Sequence, residues 1–259
     1  MWRNIMSKLR KIYDILEREF PSNLKEEWDN VGLMVGDLDC EISKVLVALD
    51  CTMDVIDEAI SIGANLIITH HPFIFSPLFS IDYSLNFGKK IKKITDNNIN
   101  VLSYHTNFDK AKCGTAYALA KILDLFNVKN LSDTEFSLGR IGEIAPCSLE
   151  DFLNEVKIKL NIPNLKYIGD EEKIISKVAV IPGSGSDFYK EAIECGADAV
   201  VTSEVKHHIA IECMECGIAI IDAGHFETEN IVLYEIESLL SCEVETVISK
   251  KYTKLFKYI

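Results

Sequence analysis

The amino-acid sequence predicts an α/β protein that arose by duplication of one half. Residues from Ser43 onward align without a gap with residues from Ser176 onward, an offset of 133, over roughly thirty positions. In each copy an apolar run is followed by a loop, a helical segment that ends at a glycine and a second apolar run, which is the pattern of a βαβ unit. Later in the chain, residues 105–109 (His-x-x-x-Asp) match residues 225–229 (His-x-x-x-Glu). We therefore predict two similar α/β halves, residues 1–128 and residues 129–259.

The first half begins with a predicted helix. Residues 7–20 carry apolar side chains at helical spacing, which indicates a helix that packs on the first sheet. Residues 25–33 are a loop by composition. Buried strands are expected at residues 43–49, 65–69 and 100–103, with a helix that ends at Gly63 between the first two.

The second half contains a helix signal and a glycine-rich turn. Ser148 is a predicted N-cap, and residues 149–160 form a helix that stops before Pro163. Residues 181–186 (Ile-Pro-Gly-Ser-Gly-Ser) predict either a phosphate-binding turn or a plain strand-to-helix turn, and they lack the lysine and spacing of a P-loop. A last buried strand is expected at residues 219–222.

Composition limits the classes of function. With 48% apolar residues and a mean hydropathy of +0.11, the chain is too apolar for a disordered protein. The net charge of −13 repels phosphate backbones, so general nucleic-acid binding is not expected. The chain has no run of 18 apolar residues, and residues 1–5 do not begin an apolar signal segment, so we expect a cytoplasmic protein without a membrane span.

Eight cysteines are present without the paired spacing of a disulfide framework, so reduced thiols are expected. Cys213 and Cys216 form a C-x-x-C pair. That pair indicates either a redox or zinc site or, more simply, the packing face of a helix.

All six histidines fall in four short clusters: His70-His71, His105, His207-His208 and His225. Three of these clusters follow short apolar runs that are predicted strands, and ligands bind at the carboxyl ends of strands in open α/β sheets. Imidazole nitrogens and carboxylate oxygens are the ligands of catalytic divalent metals.

The pair His70-His71 favours a dinuclear site. Neighbouring side chains on a strand point to opposite faces, but before Pro72 the backbone can turn and direct them to two adjacent ions. Asp109 and Glu229 supply carboxylates that can bridge two cations, as in metal-assisted hydrolysis. The alternative for any single histidine is a satisfied core or surface residue.

Other candidates keep more than one interpretation. His105 could be a metal ligand, could orient a ligand from behind, or could carry protons. In the duplicated frame Ser203-Glu204 occupies the place of His70-His71, which makes Glu204 a second candidate for proton transfer. His207 and His208 are expected at a helix start or at the rim of the cleft.

Five ordered segments of the chain carry a family resemblance. They are Trp28-Asp29-Asn30-Val31-Gly32-Leu33, Thr69-His70-His71-Pro72, Tyr104-His105-Thr106-Asn107-Phe108-Asp109, Thr202-Ser203-Glu204 with Lys206-His207-His208, and Gly224-His225-Phe226-Glu227-Thr228-Glu229. These segments resemble the signatures of the NIF3-like dinuclear metal-centre family, often labelled homologues of a type 2 GTP cyclohydrolase I. The resemblance extends from about residue 8 to the C-terminus and corresponds to the short form, without the inserted domain of some members.

The resemblance implies two similar interlocked α/β domains and a toroidal homohexamer. It also implies a site for two divalent ions per chain, which could be zinc, iron, manganese, cobalt or nickel. The implied ligands are the five residues that the patterns also select: His70, His71, Asp109, His225 and Glu229. The position after His225, often histidine in relatives, is Phe226, for which we expect no ligand role.

Two classes of function compete. The first is a metal-dependent hydrolase of a small nucleotide or phosphoester substrate, in which paired cations lower the pKa of a bridging water and His105 or Glu204 relays protons. The family label would make its reaction similar to that of GTP cyclohydrolase, although the sequence has no guanine-reading motif. The second class is a non-catalytic protein that binds or delivers metal or forms a scaffold ring. The C-terminal segment 244–259, with Tyr252, Phe256 and Tyr258 among lysines, is a candidate subunit contact.

Overall fold

The computed structural model describes residues 6–132, 136–251 and 255–256, and it divides into two compact units. Of the described residues, the first unit contains those up to Phe108 and those from Val232 to Leu255, and the second contains those from Asp109 to Ile231 together with Phe256. The chain therefore leaves the first unit and later returns to it. The predicted halves differ from this division, since their boundary at residues 128 and 129 lies inside the strand Phe126–Asn130 of the second unit.

The elements alternate along the chain. The strands are β1 (Ser7–Lys8), β2 (Gly32–Val35), β3 (Glu41–Ile42), β4 (Lys44–Ala48), β5 (Leu66–Thr69), β6 (Asn100–Ser103), β7 (Phe126–Asn130), β8 (Arg140–Ser148), β9 (Lys166–Ile168), β10 (Ile174–Val180), β11 (Ala199–Thr202), β12 (Ala219–Asp222) and β13 (Glu245–Ile248). The helices are α1 (Leu9–Glu19), α2 (Met53–Ile62), α3 (Asn86–Asp96), α4 (Thr106–Lys110), α5 (Thr115–Ile122), α6 (Leu149–Lys159), α7 (Tyr189–Glu194), α8 (His207–Cys216), α9 (His225–Glu229) and α10 (Val232–Leu240). Short 3-10 turns lie at Ser22–Leu24 and Ser186–Phe188.

The first unit is built on a five-stranded sheet in the order β13-β4-β5-β6-β2. Four of its strands are parallel, and β2 pairs antiparallel with β6 at one edge. The predicted stripe on α1 is buried, and α2 ends at Gly63 with φ of +71°, as its closing glycine predicts. The prediction of a loop over residues 25–33 is wrong at its end, because Gly32 and Leu33 belong to β2 and pair with β6. This pairing joins residues far apart in sequence, so the composition of the segment could not predict it.

The second unit is built on a six-stranded sheet in the order β7-β8-β10-β11-β12-β9. Strands β10, β11 and β12 are parallel, and the outer strands pair antiparallel. The repeat is confirmed here, since β11 lies at the predicted offset of 133 from β5. The Ser148 N-cap is also confirmed, because its hydroxyl accepts a hydrogen bond of 3.1 Å from the Asp151 amide at the start of α6.

Parallel pairing decides where the candidate residues lie. Strands β5 and β6 end at the same edge of the first sheet, so His70-His71 and His105 follow neighbouring strands. Strands β11 and β12 also end at one edge of the second sheet, and Glu204 and His225 follow them. These are the strand ends at which α/β sheets bind ligands.

Within the part of the chain that the structure describes, no helix combines the length and the apolar character that crossing a bilayer requires.

Candidate metal centre

Three imidazoles converge at the carboxyl end of the first sheet. Each of His70, His71 and His105 offers one ring nitrogen, and these three nitrogens lie within 4.8 Å of one another. The ring centroids are 5.2 Å apart for His70 and His71 and 5.3 Å apart for His70 and His105. His70 is fully buried, and the other two are partly exposed. The backbone bends at His70 and His71, directly before Pro72, so both side chains reach the same cluster.

In each of the three histidines Nδ1 is held by an oxygen atom. The acceptor for His70 is the carbonyl oxygen of Tyr104, at 3.0 Å. For His71 it is the Asp50 carboxylate at 3.1 Å, and for His105 the Asp29 carboxylate at 2.9 Å. Histidines that bind metals usually donate their second ring N–H to such an oxygen, which sets the tautomer and leaves Nε2 to the metal. This arrangement leaves Nε2 of His70 and of His71 to a metal, and it leaves Nε2 of His105 to a ligand or proton-transfer role.

Asp29 is a buried carboxylate whose hydrogen bonds fix the position of His105. Its oxygens accept hydrogen bonds from the Asn30 amide (2.8 Å), from the Thr106 amide (3.0 Å) and from the Thr106 hydroxyl, in addition to His105. Burial raises the pKa of Asp29, but the hydrogen bonds from His105 and Thr106 outweigh it and lower the pKa to about 2. An ionised Asp29 orients His105 with the proton on Nδ1.

In the second unit, His225 lies between two carboxylates. Its Nδ1 is 2.9 Å from Oε1 of Glu204, and its Nε2 is 2.8 Å from Oε2 of Glu229, one turn further along α9. Glu229 is buried and Glu204 is half exposed. Glu204 has φ of +52°, a left-handed conformation that is uncommon for a residue with a side chain.

The glycine-rich turn at residues 181–186 supports this pair from behind. Its Gly183 amide donates to the Thr228 hydroxyl on α9 (3.1 Å), and the Ser203 amide donates to the Gly183 carbonyl, also at 3.1 Å. A Cβ at position 183 would lie 2.0 Å from Oε1 of Glu229, and φ there is +61°. These contacts support the interpretation as a strand-to-helix turn, and they show why a glycine is needed beside Glu229.

Asp109 lies in the second unit, next to a buried guanidinium. Its carboxylate accepts a hydrogen bond from the Thr115 hydroxyl. Arg140 donates to the carbonyl oxygens of Ser137 (2.6 Å) and Ala111 (3.0 Å). Burial lowers the pKa of Arg140, and the nearby charge of Asp109 acts in the opposite direction. Arg140 therefore anchors the segment that directly follows α4, the helix that contains Asp109.

The remaining candidates lie outside these clusters. His207 and His208 begin α8 and are exposed, as one of their two predicted placements requires. Cys213 packs in an apolar core cluster, and burial raises the pKa of its thiol to about 11, whereas Cys216 is exposed. A buried thiol with a raised pKa is unreactive, which favours the packing interpretation of the C-x-x-C pair.

Sequence reasoning missed three residues that organise the site: Asp29, Asp50 and Gly183. Asp29 lies in the first of the quoted segments, so its motif was a signal, but its partner is 76 residues away. Asp50 follows β4, the strand next to β5, and parallel pairing could have predicted its position. The positive φ of Gly183 becomes visible only in the folded chain.

The donor chemistry fits a divalent metal. The predicted ligands form two groups, with His70 and His71 in the first unit and Asp109, His225 and Glu229 in the second. Both groups contain only imidazole nitrogens and carboxylate oxygens, a set suited to zinc, iron, manganese, cobalt or nickel.

Comparison with known proteins identifies the family of the chain. The model of the family Duf34/NIF3 (NGG1p interacting factor 3) matches residues 7–254, nearly the whole chain. The chain belongs to the Duf34/NIF3 family. The duplicated α/β fold of the NIF3 type that the sequence predicts is thereby confirmed, and so is the resemblance.

Relatives of this family member resemble it over most of their length. It is 40% identical over 262 residues to the GTP cyclohydrolase 1 type 2 homolog of Clostridium perfringens, covering 97% of this chain and 100% of the relative. It is 44% identical to the protein of the same name from Clostridium acetobutylicum, covering 86% and 85%. The similar length of the Clostridium perfringens relative agrees with the short form of the family.

A solved structure shows the same fold. The crystal structure of the Staphylococcus aureus hypothetical protein SA1388 superposes with a TM-score of 0.89 at 30% identity, covering 97% of this chain and 99% of that one. This Duf34/NIF3 member thus carries a candidate histidine and carboxylate metal site on the family fold.

Proposed function

We propose that the protein binds two divalent metal ions per chain through His70, His71, Asp109, His225 and Glu229. The observation that carries the proposal is the group of three imidazoles whose Nδ1 atoms are each held by an oxygen. The pairing of His225 with the buried Glu229 supports it from the second unit. The metal is a first-row or similar cation, since zinc, iron, manganese, cobalt and nickel all accept this donor set.

We further propose that the protein is a metal-dependent hydrolase of a nucleotide or phosphoester, with a reaction similar to that of GTP cyclohydrolase. When bound, divalent ions supply Lewis acidity toward a phosphoryl or carbonyl oxygen. The chain's own groups move the protons. His105 is held by the ionised Asp29 and exchanges a proton at Nε2. Glu204, which contacts Nδ1 of His225, is the second group proposed for proton transfer.

A turnover assay tests the catalytic proposal. The metal-loaded protein is incubated with a panel of nucleotides and phosphoesters. His70→Ala is assayed beside it, and His208→Ala is the matched control, because His208 is exposed and is not a proposed ligand. Turnover by the wild type and by His208→Ala, with loss in His70→Ala, is the expected result. No turnover of any compound at full metal occupancy would argue against catalysis.

The second candidate function is a non-catalytic ring that binds or delivers metal. One observation favours a role in protein contacts, namely the exposed apolar side chains on one segment of the first unit. These are Leu78, Phe79, Ile81, Tyr83 and Leu85. Contiguous exposed apolar surface is typical of interaction sites.

The same segment supports a proposed assembly, a toroidal homohexamer. The C-terminal contact predicted at residues 244–259 can be described only in part. Leu255 and Phe256 are exposed, whereas Tyr252 and Tyr258 lie outside the described residues.

We place the protein in the cytoplasm. All eight cysteines are free, as expected for a protein of a reducing compartment.

A further inference from the structure

Two exposed aromatic side chains lie beside the imidazole cluster of the first unit. Trp28 is 58% exposed and Phe75 is 51% exposed, whereas large aromatic side chains usually gain most by burial. Their rings are 5.9 Å apart between centroids. The two come from loops that are distant in sequence, so their proximity is a product of the fold.

Both rings also contact His105. The Trp28 centroid lies 6.0 Å from that of His105, and the Phe75 centroid lies 6.4 Å from it, both edge to face. A hydrogen bond fixes the two loops together, because the Asn30 side-chain amide donates to the carbonyl oxygen of Ile74 at 2.6 Å. The two aromatic faces are therefore held beside the proposed proton-transfer group.

Core packing does not account for this arrangement. Phe20, Tyr104 and Phe108 form the aromatic cluster of the interior on this side of the unit, and all three are buried. Trp28 and Phe75 instead keep about half of their surface in solvent, beside His105.

We propose that Trp28 and Phe75 form a stacking platform for a planar heteroaromatic ring of the substrate, such as a nucleobase, and place it beside His105. The inference rests on the proposed function and narrows its substrate class. Stacking uses the π face that all such rings share and requires no hydrogen-bond pattern at the ring edge. That is consistent with a sequence in which no guanine-reading motif is found, and it predicts binding of purines without strong discrimination between them.

Tryptophan fluorescence gives a direct test. The chain has two tryptophans, so Trp2→Phe leaves Trp28 as the single reporter at the platform. Guanosine and adenosine are titrated into this protein, since uncharged nucleosides avoid repulsion by the net charge of −13. D-ribose, which lacks the ring, is the control ligand. We expect saturable quenching by both nucleosides and none by ribose.

Variants locate the binding site. Phe75→Ala in the Trp2→Phe background is expected to weaken nucleoside binding roughly 5- to 150-fold, the usual contribution of one stacked base. Trp28→Ala is expected to weaken nucleoside binding to a similar extent, and its affinity is measured by calorimetry because the variant lacks the fluorescent reporter. Phe126→Ala is the matched control, because Phe126 is 49% exposed but belongs to the second unit, and it should bind as the parent does. Melting temperatures verify that each variant is folded.

The outcomes separate this inference from the proposed function. Metal content is measured by elemental analysis on the same preparations, and the titrations are repeated after chelation. Full metal content with no quenching, quenching by ribose, or equal affinity in folded Phe75→Ala overturns the platform and leaves the metal centre standing. Quenching with the expected variant effects in a protein that binds no metal supports the platform and refutes the proposed function.

Discussion

Oδ1 of Asp29 lies 2.9 Å from Nδ1 of His105, across 76 residues of sequence. The other oxygen of Asp29 accepts hydrogen bonds from the amide and the hydroxyl of Thr106. This one carboxylate therefore connects the loop before β2 to the end of β6 and sets the orientation of an imidazole in the proposed site. The first two predictions test the two members of this pair.

Replacing Asp29 with asparagine should destabilise the fold. The amide keeps one acceptor oxygen but turns N–H donors toward the donors of Thr106 or His105, and such a mismatch in a buried site costs about 1–3 kcal/mol. Urea unfolding measures the change. Asp39→Asn is the control, because Asp39 forms an exposed ion pair with Arg10 and should change stability by less than about 1 kcal/mol. Equal stabilities of the two variants would contradict the role given to Asp29.

Replacing His105 with glutamine should lower turnover roughly 10²- to 10⁴-fold, the usual contribution of one general acid or base, without loss of metal. Three measurements on this variant separate the predicted roles. If His105 is a ligand, metal content falls with activity. If it is only structural, the melting temperature falls while turnover per folded site survives. An unchanged rate at full occupancy removes His105 from the mechanism.

Metal content should depend on both groups of proposed ligands. His71→Ala and Glu229→Ala should each lose at least one ion per chain and remain folded, because each removes one donor and leaves the buried strands intact. Elemental analysis of purified protein gives the count, and circular dichroism verifies the fold. His208→Ala should retain full content. The metal assignment fails if the double variant His70→Ala/His225→Ala still carries the full complement.

Gly183→Ala should disturb the site through Glu229. The new Cβ would lie 2.0 Å from Oε1 of Glu229, so the carboxylate must move and metal content should fall. Gly217→Ala is the matched control, because Gly217 also has a positive φ, +70°, but has no atom within 4 Å of a Cβ built there. In both variants the free energy of unfolding should fall by about 1–2 kcal/mol, because alanine disfavours the left-handed backbone conformation. Equal metal content in both would show that the close approach of Gly183 is unimportant.

The proposed assembly predicts a mass of six chains of 29.1 kDa in light scattering at micromolar concentration. A closed ring leaves no subunit with an unsatisfied interface, which favours a single species. Phe79→Asp should shift the mass toward smaller species, because Phe79 is fully exposed on the apolar segment and a charge would be buried in the contact. A monomer mass for the wild-type protein would reject the hexamer.

Local patterns predicted much of the fold. The repeat is confirmed in β5 and β11, and the N-cap at Ser148 in α6. Strand ends followed by histidine also placed His70, His71 and His105 together, since parallel neighbouring strands end at one edge of a sheet. These features depend on residues close in sequence or on one known rule of sheet topology.

Other features depended on contacts across long stretches of chain. The entry of Gly32 into β2 and the pairing of β13 with β4 are strand contacts between distant segments.

The sequence by itself determined the fold class, the family and the candidate metal ligands, because periodicity, repeats and ordered motifs are local properties of the chain. Only the tertiary structure decided that Asp29 orients His105, that Gly183 makes room for Glu229, and that Trp28 and Phe75 stand together in solvent. The physical reason is that each of these relationships joins residues far apart in sequence. Their hydrogen bonds and close contacts form only after the helices and strands within each unit have packed, because that packing brings the unit's loops together.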